Sequence, residues 1–250
     1  MISILIATYN SDKTLQACLN SVLEQDYKDW ECILVDGKSQ DKTLSIIEEF
    51  ERSDNRIRHI SEPDSGIYDA LNKGIDLAQG AWIYVLGSDD RLTKNGLASL
   101  IFGSNADSSV IYGDIFVEYA DQSNKLIHPK EIEMVKYYMP ISHQGVIVKT
   151  DDARMLGGFD LRYKVRGDYN MIQQLYLLGK VFQYVSVPIA ICGVSGLSNK
   201  LSSMIKYDLE RYHINKNNKS NKYPFLFWLI IEIRSVLIDL RDRMMGRKYC

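Results

Sequence analysis

Ile2-Ser3-Ile4-Leu5-Ile6-Ala7-Thr8 is a run of aliphatic and β-branched residues that stops at the polar loop Tyr9-Asn10-Ser11-Asp12, and its reading decides the fold. A short continuous apolar run bounded by turn residues reads as a strand buried on both faces. Helical spacing follows: Ser11 or Asp12 can cap a segment in which Leu15, Leu19, Val22 and Leu23 recur one face at a time. The alternation then repeats. Residues 32–35 predict a second strand ending at Asp36, Asp41 can cap a helix carrying Leu44, Ile47 and Phe50, and residues 57–60 predict a third strand. A third helix is predicted over residues 67–78, and residues 82–86 predict a fourth strand that delivers the chain to Gly87-Ser88-Asp89-Asp90. Strands alternating with helices read as a mostly parallel central sheet with helices on both faces, an α/β fold. Asp36 and Asp89-Asp90 therefore sit at strand carboxyl ends, where open α/β sheets bind their ligands.

The second half is less regular. Residues 110–112, 116–119 and 145–148 predict strands, residues 168–178 a helix, and residues 181–187 a strand closed by Pro188. The polar stretch 215–222 reads as a linker between a catalytic domain, residues 1–214, and a final helix, residues 223–250. In that helix Glu232, Ser235, Asp239 and Asp242 form a polar stripe beside Trp228, Leu229, Ile233, Val236, Leu237 and Leu240, which is an amphipathic pattern. Two uses stay open. The helix can pack on the body or on a second copy as a homodimer. Alternatively Phe225, Phe227 and Trp228, with Arg234, Arg241, Arg243, Arg247 and Lys248, suit a peripheral contact with a membrane surface.

Composition narrows the function. The net charge of −2 hides an asymmetry, because residues 200–250 hold 11 of the 30 Lys and Arg but only 5 of the 32 Asp and Glu. The body is acidic and the tail basic, and no nucleic-acid partner is expected. Cys18, Cys32, Cys192 and Cys250 form no C-x-x-C pair, so neither a zinc ribbon nor a small disulfide framework is indicated and a reducing compartment fits. Met1 leads straight into the apolar run without a basic region or a cleavage site, so no signal peptide is expected. Residues 225–231 fall far short of the roughly 20 apolar residues that cross a bilayer. The expected location is cytoplasmic, with contact at the inner face of the membrane left open.

A hard cation such as Mg²⁺ or Mn²⁺ prefers oxygen ligands and takes one or two protein carboxylates beside phosphate oxygens and water, a task that Asp89 and Asp90 suit. The segments Ile4-Leu5-Ile6-Ala7-Thr8-Tyr9-Asn10, Leu34-Val35-Asp36-Gly37-Lys38-Ser39-Gln40-Asp41-Lys42-Thr43 and Gly87-Ser88-Asp89-Asp90, in this order and spacing, resemble the family 2 glycosyltransferases. The sharpest signal, Glu62-Pro63-Asp64-Ser65-Gly66-Ile67-Tyr68-Asp69-Ala70-Leu71-Asn72-Lys73-Gly74, resembles a subgroup that assembles bacterial exopolysaccharide, colanic-acid-type polymers and O-antigen. The resemblance covers residues 2–195 and implies the GT-A nucleotide-diphospho-sugar transferase fold. It also implies an inverting transfer from a nucleotide-diphosphate sugar to an acceptor hydroxyl, a lipid-linked saccharide in surface polysaccharide synthesis being the expected acceptor.

Carried over residue by residue, the resemblance implies that Ala7, Thr8, Tyr9, Asp36 and Asp89 bind the donor, with the Asp36 carboxylate meeting the base. Asp89 and Asp90 hold the metal, and Asp168 in Gly167-Asp168-Tyr169 is the catalytic base. His143-Gln144 and Gly193-Val194-Ser195 fall where the family places polar site residues on the acceptor side. Gly87 and Gly167 depart from the pattern, because the family carries acids there. They keep open a catalytically inactive, membrane-docked scaffold. A sugar-nucleotide pyrophosphorylase is the other rival, but Thr8-Tyr9-Asn10-Ser11 lacks its Gly-rich basic phosphate loop, and no G-x-G-x-x-G suggests a dinucleotide enzyme.

Overall fold

The computed structural model of the chain describes residues 1–103, 105–119, 121–193, 201–225 and 229. Its first half follows the expected alternation: β1 (Ile2–Thr8), α1 (Leu15–Leu23), β2 (Trp30–Asp36), α2 (Thr43–Ser53), β3 (Ile57–Ser61), α3 (Ile67–Leu77) and β4 (Trp82–Val85). These strands lie in the order β3-β2-β1-β4, all parallel, and Thr8 stands opposite Asp36 at the shared carboxyl edge. Successive side chains of a strand point to opposite faces. Ile2, Ile4 and Ile6 of β1 accordingly enter one core, with α1 and α2, whereas Leu5 enters a second core with α3. Each fully buried aliphatic side chain contributes about 1.5–3 kcal/mol, so the sheet is the rigid base from which the polar loops project.

The second half adds β5 (Arg91–Leu92), α4 (Gly96–Phe102), β6 (Ser108–Glu118), β7 (Asn124–Ile127), β8 (Val146–Lys149), α5 (Thr150–Met155), α6 (Gly167–Leu177), β9 (Val181–Gly193) and α7 (Leu201–Asn217). Here the sheet turns mixed. β8 runs antiparallel to both β4 and β6, β9 runs parallel to β6, and β5 and β7 are antiparallel additions. The helices cover both faces, as expected: α1, α2 and α4 pack in one core, α3 and α6 in the other.

Three expectations change. The strands expected at 110–112 and 116–119 are one continuous strand, β6. Pro188 does not end β9, which runs on to Gly193, because the pairing of β6 with β9 shifts register on either side of Asp114–Pro188. A bulge at that point tolerates a residue without an N–H donor. The stretch 215–222, expected as a linker, begins inside α7, and Asn215 is buried, accepting hydrogen bonds from the Tyr169 hydroxyl (2.6 Å) and the Gln173 amide (2.8 Å). A buried, fully bonded side chain belongs to the packed body. Of the helix expected over residues 223–250, all but Tyr223, Pro224, Phe225 and Leu229 lies outside the described residues.

Candidate active site

The loops after β1 and β2 are clipped together. Gly37 N–H donates to Thr8 O (2.9 Å), Asn10 N–H to Ser39 Oγ (2.9 Å), Ser11 N–H to Thr43 Oγ1 (2.8 Å) and Gln40 N–H to Asn10 Oδ1 (2.9 Å). Asp41 accepts from Thr43 N–H (2.9 Å) and from Asp12 N–H (3.2 Å), but the N-cap position of α2 is Lys42, so Asp41 closes the turn ahead of the helix and does not cap it. Neither Ser11 nor Asp12 caps α1 with its side chain. The Ser11 carbonyl receives the first amides of that helix, and its hydroxyl lies 2.9 Å from that of Ser88 in the acidic loop. Asn10 and Lys38 hold positive φ values of 51° and 63°, backbone strain of the kind that clusters at ligand-binding loops.

Asp36, expected to meet the base, is fully buried. One oxygen accepts from Thr8 Oγ1 (3.2 Å) and Ser39 Oγ (2.5 Å), the other from Ser39 N–H (3.0 Å) and Ser61 Oγ (2.8 Å). A carboxylate offers about four lone-pair sites, and four internal donors use them. In this geometry Asp36 ties β1, the loop after β2 and the end of β3 together from within. By contrast the Tyr9 ring is 66% exposed, which removes the alternative that it is a core aromatic.

Beyond β4, Asp89 is exposed and Asp90 is buried. Burial first, and then the adjacent Asp89, pushes the Asp90 carboxyl up to about 6, while the side chains of Gln144 and Cys192 hydrogen-bond to it. Two neighbouring carboxylates at a cavity wall, the buried one opposed in its upward shift by His143, Gln144 and Cys192, are a donor set that suits a hard divalent cation. Among the described residues no three His, Cys, Asp or Glu side chains gather as a metal cluster, so the remaining ligands would have to come from substrate and water. A Cβ at Gly87 would lie 2.5 Å from Asp90 Oδ2 and 3.1 Å from Asp89 Oδ1, so a side chain there would require these carboxylates to shift.

The acceptor side is built by α6 and the short 3-10 turn His143–Gly145. Asp168, in the first turn of α6, receives the Tyr68 hydroxyl at 3.2 Å and faces His143 Nδ1 at 3.5 Å. Tyr68 also donates to Val165 O (2.7 Å). Burial first and then the Asp168 charge drive its phenol far above the ordinary range, which keeps it a donor. Gly167 has the same kind of explanation as Gly87, because a Cβ there would sit 2.8 Å from the Tyr68 ring. The aromatic ring takes the place of the acidic neighbour.

Asp89, Asp90, His143, Gln144, Asp168 and Tyr68 all line one cavity of ≈ 530 Å³, a size that accommodates a small ligand. Gly193 lines it as well, whereas Val194 and Ser195 lie outside the described residues. A second hollow near Gly157 and Asn217 has Asp160 as its acid, and Arg162 pairs that carboxylate at 2.6 Å. The first cavity is the one in which the acid pair and Asp168 meet.

The segment 62–74 joins the two halves of the site. Lys73 bridges Glu62 (2.8 Å) and Pro63 O (2.8 Å), Asp69 accepts from Ser65 N–H (2.8 Å), and Glu62 N–H donates to Asp36 O (3.0 Å). At its far end Asn72 grips the Phe159 backbone through both N–H (2.7 Å) and C=O (2.9 Å). Sequence reasoning singled out this segment without assigning Tyr68, a plausible core aromatic, to Asp168, because 100 residues separate the pair.

The model of glycosyl transferase family 2 matches residues 3–160, more than half of the chain. The chain belongs to that family. It is 33% identical over 208 residues, 80% of each chain, to a PGL/p-HBAD biosynthesis glycosyltransferase of Mycobacterium bovis and Mycobacterium tuberculosis. Over 134 residues, 53% of this chain and 43% of the relative, it is 28% identical to the GalNAc(5)-diNAcBac-PP-undecaprenol beta-1,3-glucosyltransferase of Campylobacter jejuni. Its fold is that of GT-A transferases. S. aureus TarS 1-349 in complex with UDP-GlcNAc superposes with a TM-score of 0.69 at 19% identity, over 87% of this chain and 66% of that one. The mannosyltransferase PcManGT from Pyrobaculum calidifontis, in complex with GDP-Man and Mn²⁺, gives 0.66 at 15% identity, over 90% and 66%.

Proposed function

We propose that this family 2 enzyme is an inverting, divalent-cation-dependent glycosyltransferase that moves one sugar from a nucleoside diphosphate to an acceptor hydroxyl. The observation that carries the reading is one cavity shared by Asp89, Asp90 and Asp168. Asp89 and Asp90 would hold Mg²⁺ or Mn²⁺, whose charge, when bound, offsets that of the departing diphosphate. Tyr9 and the clipped loops receive the nucleoside. Asp168, oriented by the Tyr68 hydroxyl and flanked by His143, takes the proton of the acceptor hydroxyl. The oxygen so activated bonds to the anomeric carbon as the bond to the diphosphate breaks, in one displacement. Attack from the face opposite the leaving group inverts that centre, and no sugar is ever bonded to the protein.

Catalytic competence, rather than an inactive scaffold, is supported at Gly167, where the Tyr68 ring that donates to Asp168 occupies the space of a side chain. A lipid-linked saccharide as acceptor is supported by the Campylobacter jejuni relative, whose name specifies a PP-undecaprenol substrate. Ile67 and Val165, which are exposed and line the cavity, give an apolar rim suited to such a molecule. Among the described residues no helix is long and apolar enough to cross a membrane, so the basic amphipathic pattern of 223–250 is the proposed means of contact with the inner membrane face.

The test is thermal stabilisation by UDP-, GDP-, dTDP- and CDP-sugars with and without Mn²⁺. A ligand at 100 times its Kd stabilises by about 2.7 kcal/mol, a shift of several degrees. One nucleotide class should raise Tm in the presence of the cation and much less in its absence. Equal and negligible shifts with all four, with or without Mn²⁺, would refute the reading.

A further inference from the structure

With both oxygens of the Asp36 carboxylate bonded internally, the loops after β1 and β2 have a second carboxylate beside them, supplied by a different loop. Asp64, in the segment that follows β3, places its Oδ2 2.5 Å from where a Cβ on Gly37 would stand, and Tyr9 Cδ2 lies 3.4 Å from the same point. Asp64 is partly exposed and the Tyr9 ring is largely so. The other carboxylate oxygen, Oδ1, accepts from Gly66 N–H at 2.9 Å, which fixes the rotamer, while Oδ2 meets no hydrogen-bond donor among the described residues. The loop is braced on both sides by the Lys73 bridge to Glu62 and Pro63 and by the Asp69 bond to Ser65. Gly37 is not needed for a left-handed turn, since its φ is not positive. Its role is space.

We propose that Asp64 is the specificity-determining carboxylate for the donor base, seated over Gly37 and beside the Tyr9 ring. This rests on the reading of the chain as a nucleotide-sugar transferase. An ionised carboxylate only accepts hydrogen bonds, so it selects a base edge carrying a ring N–H. Uracil and thymine offer an imide N–H, and guanine offers a ring N–H beside its amino group. Cytosine presents a bare ring nitrogen at that position, whose lone pair repels the carboxylate. Tyr9 supplies an exposed aromatic face for the base to stack on. With Oδ1 occupied, one free oxygen suits the single imide N–H of a uracil-type base better than the paired donors of guanine.

The experiment is calorimetric titration of UDP, GDP and CDP in the presence of Mn²⁺ against the full chain, Asp64→Asn, Asp64→Ala and Gly37→Ala. Asp64→Asn keeps the shape and the bond from Gly66, and circular dichroism checks each fold. The unmodified chain should bind UDP or GDP more tightly than CDP, the stronger of the two identifying the base. Asp64→Asn and Asp64→Ala should weaken that nucleotide by about 10- to 100-fold, as expected for loss of a charged hydrogen bond. CDP should change less than threefold, so the discrimination collapses. Gly37→Ala, whose new methyl displaces Oδ2, should reproduce the loss. An unmodified chain that prefers CDP overturns the proposal, as does preference for UDP or GDP that survives in all three variants; in both cases the transferase reading stands. Failure of the unmodified chain to bind any of the three removes the transferase reading itself and the proposal with it.

Discussion

Asp168→Asn is expected to bind the sugar nucleotide within about twofold of the unmodified chain yet transfer sugar about 10²- to 10⁴-fold more slowly, the range lost when a positioned base is removed. The substitution keeps the shape of the side chain and leaves an oxygen to receive the Tyr68 hydroxyl, which now lies 3.2 Å from Oδ1. What disappears is the capacity to take a proton. Donor affinity is spared because Asp168 stands on α6, while the acid pair and the nucleoside loops belong to β4, β1 and β2. Stopped assays at saturating donor, paired with titration of the nucleotide alone, separate the two effects. Transfer at the normal rate would move the base elsewhere, and His143, 3.5 Å away, would be the next residue to replace.

Asp89→Asn should have the complementary signature. Removing one carboxylate that faces the cavity takes away a cation ligand, and changes even in the supporting contacts of a metal commonly cost 10- to 100-fold in affinity. Loss of about 100-fold or more in Mn²⁺-dependent donor binding is therefore expected, with little change in the weak binding seen without the cation. Asp89 is the better probe than Asp90, because Asp90 is buried against Gln144 and Cys192 and its replacement also disturbs packing. Undiminished cation-dependent affinity in a folded Asp89→Asn chain would place the metal on other residues.

The parallel half of the sheet was legible because β1 and β2 are buried on both faces and carry apolar runs, and helical spacing separates the four strands. The mixed half was not. Whether β8 runs parallel or antiparallel to its neighbours depends on long-range pairing with β4 and β6, and no local pattern encodes it. Pro188 stops a strand by its local chemistry, yet here a bulge opposite Asp114 absorbs it. At the site, Asp89, Asp90, His143, Gln144 and Asp168 were named from motif and position, and the fold brings them to one cavity. Asp36 was assigned to the base from the family resemblance. Only the three-dimensional arrangement reveals that Thr8, Ser39 and Ser61 use both of its oxygens. The same limit hid the reason for Gly87 and Gly167. Each looks like a lost acid in one dimension, and in space each glycine makes room for a neighbouring side chain.

Single displacement requires inversion at the anomeric carbon whichever group takes the proton, and proton NMR of the newly formed glycosidic linkage tests it. With the sugar nucleotide that stabilises the chain and a soluble acceptor it glycosylates, the anomeric proton coupling of the first product should show a configuration opposite to that of the donor. Retention of the donor configuration would contradict a direct attack assisted by Asp168 and require either a covalent intermediate or attack from the face of the leaving group.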